Sequence, residues 1–246
     1  MLLSPGQIIG RSLEIYKKHW QKILPYLGLF AIPSIITVIL KMIYGSTTHT
    51  LTESLLFALG VVICGLLSLA GTMMLIRVSA ALISESHPGS PKDEFHAGLK
   101  LVWPALFSSV LVALTVVGGI ILLIVPGIIF AIWFCFVPYI VATEGKHGIE
   151  AMHLSHQLVR GRWWAVFARL VFPAFIFAFI VWAAQSILHI PFKILYEMAM
   201  PGAVQALVLF IATAINMLIA FAVVPLSTMA PTLLYIDLKA HPVTKT

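Results

Sequence analysis

Charge is what this sequence has least of. Asp, Glu, Lys and Arg make up 10% of its 246 residues against 61% hydrophobic ones, and the mean hydropathy is +1.04. Soluble domains carry roughly 25% charged residues. A folded chain this poor in charge has too little polar surface to stay dispersed in water, so lipid must be the solvent for much of its exterior. Cysteine is nearly absent as well. Cys64 and Cys135 both lie inside apolar runs, which excludes a disulfide framework and a zinc-ligand spacing. No Asp, Glu or Arg stands at the centre of any apolar run, and Lys41 and Arg169 lie near enough to run ends to snorkel. Buried ionisable groups usually mark ion paths and proton relays, so an ion-coupled transporter is disfavoured. A nucleophile elbow, a phosphate-cradling loop and a zinc-protease helix motif are all missing. No catalytic residue, metal ligand set or cofactor site is therefore assigned, and the chain is not expected to be an enzyme.

What is present is a series of long apolar runs. Crossing the hydrocarbon layer takes ~20 apolar residues in a helix, because no backbone polar group can go unpaired there. Six stretches qualify: 23–44, 55–76, 104–124, 127–142, 170–189 and 203–234. The expected fold is all-α, a polytopic transmembrane bundle of about six spans forming a single domain over residues 1–246. Pro126 and Gly127, after Val125, are expected to form the tight turn between the third and fourth spans. The fourth run is short for a full span. The last is long, so Pro225 and Pro231 are expected to kink it and its end to lie along the membrane surface. Residues 1–20 carry Glu14 and scattered apolar positions rather than the blocks of a cleaved signal peptide, so the first run is expected to be retained as a span.

Orientation follows from the basic residues. With the N-terminus in the cytoplasm, all 15 Lys and Arg except Lys41 and Lys193 fall in inner loops or ends. Cytoplasmic loops retain such an excess, so both termini are expected in the cytoplasm and the protein in the cell's inner, cytoplasmic membrane. The formal net charge of +6 forms no stripe with interleaved aromatics, which argues against nucleic acid. The expected partners are the bilayer and its anionic headgroups.

Each helix leaving the cytoplasmic side is preceded by a polar surface segment, expected to be amphipathic, that ends in basic residues and tryptophan. The junctions hold Lys17, Lys18 and Trp20, then Lys100 and Trp103, then Arg160, Arg162, Trp163 and Trp164. These are assigned as interface anchors, since an indole buries its ring in the headgroup zone and keeps its N–H wet. The result is a threefold rhythm of surface helix plus hairpin. Gly60, Cys64, Ser68 and Thr72 recur every fourth residue, a small-residue stripe that lets a second helix approach closely, within the chain, in a homo-oligomer or in a partner membrane protein. Gly118 and Gly119 read as packing or a bend. Gln185, Ser186, Thr213 and Asn216 lie at membrane depth, either bonding between helices or lining a path.

Glu150, His153 and His156 stand at i, i+3 and i+6 on an expected helix. They fit either a carboxylate–histidine metal site or the wet face of a surface helix whose apolar stripe is Ile149, Met152 and Leu158. The second alternative is favoured. Ser155 lies between the two histidines, but adjacent helix positions point apart. Three functions remain open: a non-catalytic scaffold or envelope protein, a permease or lipid-handling protein with kinks at Pro33, Pro138, Pro173 and Pro225, and a membrane enzyme using Glu150, His153 and Arg160 on lipid headgroups.

The run Ile124-Val125-Pro126-Gly127-Ile128-Ile129-Phe130-Ala131, followed by Val137-Pro138 and by Gly148-Ile149-Glu150-Ala151-Met152 with Ser155, Leu158, Arg160 and Gly161, resembles a bacterial membrane-domain family. That family occurs in some glycerophosphoryl diester phosphodiesterases and as stand-alone YciC-like inner-membrane proteins. Gly6 to Trp20 and Thr232 to Lys239 carry the likeness to both ends. The resemblance implies a helical membrane domain without catalysis of its own, because the phosphodiesterase barrel of the fused members has no counterpart in these loops.

Overall fold

The computed structural model describes residues 2–44, 50–197 and 202–242; Lys245 and the side chains of Lys41 and Lys193 lie outside that part. The described residues form helices only: α1 (Pro5–Tyr44), α2 (Leu51–Ile83), α3 (Pro91–Lys100), α4 (Val102–Leu122), α5 (Ile124–Trp133), α6 (Val137–Glu144), α7 (Gly148–Val159), α8 (Trp163–Glu197) and α9 (Gly202–Ala240). Six segments are long and apolar enough to cross a membrane, with α5 and α6 together making the fourth. The chain is a multi-pass, all-α membrane protein.

Local chemistry starts these helices. Ser4 and Gln7 cap α1 reciprocally, Ser4 N–H donating to Gln7 Oε1 at 2.8 Å and Gln7 N–H to Ser4 Oγ at 3.3 Å, with Pro5 at the first helical position. Thr50 and Glu53 do the same for α2. Ser90 caps α3, whose first turn holds Asp93 and Glu94 and whose last holds Lys100, matching the helix dipole at both ends. α2 ends in a Schellman motif, with Ser86 N–H to Ala81 O at 2.9 Å and Glu85 N–H to Leu82 O at 3.3 Å. Its left-handed position is held by Glu85 at φ 54, where glycine would avoid a backbone cost of about 1 kcal/mol.

Four expectations change. The segment before the first span is not a separate surface helix, because α1 runs unbroken through Pro25. Its buried Ile8, Ser12 and Ile23 face the bundle while Arg11, Lys17, Lys18 and Lys22 are exposed. The turn between the third and fourth spans falls at Leu123 (φ −165, ψ 145), not at Pro126 and Gly127. Pro126 instead occupies the first turn of α5, where an N–H has no helical partner to lose. Gly127 packs: a Cβ on Gly119 would stand 3.0 Å from Gly127 Cα, and one on Gly127 would stand 2.3 Å from Ile120 Cγ1. The fourth span is not short, since it covers 21 residues, but it breaks at 134–136. Finally, the end of α9 is not a peripheral segment but packs into the bundle, with Leu234 and Leu238 fully buried.

The core is confined to one end. Most buried side chains come from the first half of α1, the last third of α2, the start of α4, α6, α7, the start of α8 and the end of α9. Leu3 N–H donates to Asp237 Oδ2 at 2.9 Å, so the segment before α1 and the last turns of α9 meet at this end. The opposite halves of the helices expose Leu55, Leu59, Leu114, Phe175, Phe179 and Leu218. Each 18-residue apolar window is only 17–33% buried, the pattern of helices solvated by hydrocarbon. α1 pairs with α2, α4 with α5, and α8 with α9. A short helix precedes the hairpin in the second and third units, α3 before α4 and α7 before α8, while in the first unit the two are fused in α1; α7 packs into the bundle through Ala151, Ser155 and Val159.

Candidate functional site: the terminal face of the bundle

The anchors assigned from sequence divide into two groups. Trp20, Trp103 and Trp164 are 51%, 72% and 77% exposed, and Lys17, Lys18, Lys100 and Arg160 stand open beside them at the end that carries the termini. Arg162 and Trp163 turn inward instead. The Arg162 guanidinium donates to Leu158 O at 2.8 Å, Leu238 O at 3.0 Å and His241 O at 2.6 Å. It therefore closes the open carbonyls at the ends of α7 and α9, a use of arginine that only the fold could reveal. Trp163 stacks on Phe167 and points its indole N–H at Ile129 O, 3.4 Å away. Arg169 holds the N-terminal segment, donating to Leu3 O at 2.6 Å.

Two ion-pair clusters on this face escaped the sequence reading. Glu144, at the end of α6, accepts from the Tyr235 hydroxyl and from Lys239 Nζ at 3.0 Å, tying the second hairpin to α9. Glu94 of α3, whose side chain is 14% exposed, pairs with Arg77 Nε of α2 at 2.8 Å. Arg77 also reaches Ala142 O at 3.4 Å. The available signal was the i, i+4 spacing of Tyr235 and Lys239 at the end of an apolar helix, which puts both on one face.

Glu150, His153 and His156 are not brought together. Glu150 pairs with Lys146 at 3.1 Å across an exposed turn, a contact of little energetic weight. His153 sits on the wet side near Gln157. His156 packs edge-on against Trp133, ring centroids 4.6 Å apart. Among the described residues no three His, Cys, Asp or Glu side chains are grouped to hold a metal ion. Burial, with Arg160 and His153 nearby, pushes the His156 imidazole below its ordinary range. The folded state then binds fewer protons than the unfolded chain, so His156 contributes stability above about pH 6.5 that is lost as pH falls through its folded value. The expected result is faster amide exchange in α7 at about pH 5.5 than at about pH 7.5, once the intrinsic pH dependence of exchange is divided out, with the difference reduced in His156→Gln.

Ser155 is fully buried and bonds two backbone groups. Pro138 has no N–H and crowds the carbonyl four residues back, so the ladder fails between α5 and α6. The Ser155 hydroxyl donates to the freed Trp133 O at 2.7 Å and accepts from Phe136 N–H at 3.2 Å. Ser108 plays a comparable part, accepting from Gly148 N–H at 2.8 Å at the start of α7.

In the small-residue stripe, Cys64 is buried and a Cβ on Gly60 would stand 3.1 Å from Leu40 of α1, so at Gly60 the contact is internal. Ser68 and Thr72 are half-buried, the Thr72 hydroxyl donating to Ser68 O within α2. Gln185 Nε2 reaches Asn216 O at 3.5 Å between α8 and α9, a packing contact. Comparison of the chain with protein-family models, curated proteins and solved structures found no match in any of the three.

Proposed function

We propose that this chain is a non-catalytic bundle of the cytoplasmic membrane with a scaffold or envelope role, both termini in the cytoplasm, whose basic rim binds anionic headgroups. The observation that carries the reading is the set of exposed Trp20, Trp103 and Trp164, each preceded closely in the sequence by exposed Lys17, Lys18, Lys100 or Arg160. Indoles seek the interface, and cations next to them add electrostatic attraction of about 1 kcal/mol each near an anionic surface. Membership of the YciC-like membrane-domain family belongs to the same proposal and rests on the sequence motifs alone. Reconstitution into anionic rather than neutral liposomes is expected to raise thermal stability and slow amide exchange in residues 5–22, α3 and α7, with the gain shrinking in high salt. Equal behaviour in both lipids would sink the reading.

One observation favours a lipid-handling permease instead: the interrupted fourth span, since discontinuous helices build substrate sites in transporters. The freed backbone groups at this break are already bonded to Ser155, which weighs toward a static bundle. Lipid or solute flux in proteoliposomes, abolished by substitution at the α5–α6 break, would reverse that preference.

A further inference from the structure

We propose that the open cleft between α1, the end of α2 and the end of α9 binds the headgroup of an amine-bearing phospholipid, a phosphate and an ammonium on one molecule. The cleft has a volume of ≈500 Å³. Its charged wall is one face of α1, where Arg11, Glu14 and Lys18 recur at i, i+3 and i+7, with Glu85 contributed by the end of α2. Its apolar wall is Leu82, Ile83, Leu233 and Ile236, which suits the glycerol and first methylenes of a lipid better than a free metabolite.

Three observations select a zwitterion over a simple anion. Glu14 stands one turn from Lys18, an arrangement that normally pairs, yet among the described residues neither it nor Arg11, Lys18 or Glu85 forms an ion pair within 4.0 Å. Asp237 is already engaged by Leu3 N–H and by His241 Nδ1 at 3.4 Å, so the unspent charges are two cations and two carboxylates. Glu85, moreover, occupies a left-handed backbone position at φ 54 that glycine fills without strain. A carboxylate is held at the cleft at the expense of local backbone preference, which is where functional side chains are found. The phosphate lies against Arg11 and Lys18, and the ammonium against Glu14 and Glu85. An anionic headgroup without an amine leaves both carboxylates unmatched.

The inference rests on the interfacial placement of this end proposed above, but not on the affinity of the rim for anionic lipid. Lipid binding to the full-length protein in detergent is measured by native mass spectrometry, using phosphatidylethanolamine, phosphatidylglycerol and phosphatidylcholine of matched chains, with soluble phosphoethanolamine as competitor. Phosphatidylethanolamine is expected to bind about tenfold more tightly than phosphatidylglycerol, the scale of one charge-assisted contact. Phosphatidylcholine, whose quaternary ammonium has no N–H to donate, falls between them. The Glu14→Gln/Glu85→Gly double variant is expected to lose that preference while melting no lower than the parent, because a glycine at the left-handed position relieves the backbone. Equal affinity for the two lipids, or a preference unchanged in the variant, overturns the site. Competition by soluble phosphoethanolamine at equal concentration overturns the lipid source. Loss of the anionic-liposome effect with this preference intact would sink the proposed rim function and leave the cleft standing.

Discussion

Ser155→Ala is expected to destabilise the folded protein by about 2–4 kcal/mol. The hydroxyl touches two backbone groups, Trp133 O and Phe136 N–H, neither of which has a helical partner across the α5–α6 break. Removing it leaves a donor and an acceptor unpaired in a site where Phe136 and Ser155 are fully buried. Each such group costs about 1–3 kcal/mol when water cannot replace the partner. His153→Ala, on the exposed side of the same helix, is expected to move stability by less than about 0.5 kcal/mol. Thermal unfolding in detergent, together with amide exchange of 134–137, separates the two. A Ser155→Ala protein that melts with the parent would mean that α7 does not close the break, and the interrupted span would again be free to line a substrate path.

That serine also marks where the sequence stopped being informative. Six apolar runs and the all-α class were legible because hydrocarbon demands ~20 apolar residues per span whatever the tertiary contacts. The exposure of Trp20, Trp103 and Trp164 beside basic neighbours in the sequence was legible for a similar reason, since such junctions follow long polar segments and precede apolar runs whatever they later touch. Arg162 and Trp163 carry the same residue types in the same junction, yet the chain reverses there at Gly161, φ 79, and aims both side chains inward. Composition cannot register such a change of direction. Ser155, Glu144 and Arg77 were hidden for a related reason. Their partners, Trp133 and Phe136, Tyr235 and Lys239, and Glu94 and Ala142, lie 17 to 95 residues away, and only packing brings them together. The Pro126-Gly127 pair misled because both residues serve a turn in most loops, whereas in this hairpin one starts a helix and the other lets two backbones touch.

Gly98→Ala is expected to lift α3 from the bundle, at a cost of about 1–3 kcal/mol or more for overpacking against atoms that cannot yield. A Cβ on Gly98 would stand 2.4 Å from Ala70 O and 3.4 Å from Met74 N, both backbone atoms of α2, so no rotamer change relieves the clash. The consequence reaches past α3. Glu94 is carried on the same short helix and supplies the carboxylate for Arg77 and an acceptor for Gly89 N–H at 3.3 Å. Gly89 in turn accepts from the Tyr26 hydroxyl of α1, so displacing α3 undoes a chain of contacts joining α1, α2 and α3. In the parent, Glu94→Gln is expected to be destabilising, because it strips a partly buried guanidinium of its counter-charge. In the Gly98→Ala background the pair is already parted, and the same change should have almost no effect. Residues this close to one network are not additive, so the double-mutant cycle should show a coupling on the order of 1 kcal/mol. Additive effects would place the Arg77–Glu94 contact outside the docking of α3, and would make Gly98 a local packing residue only.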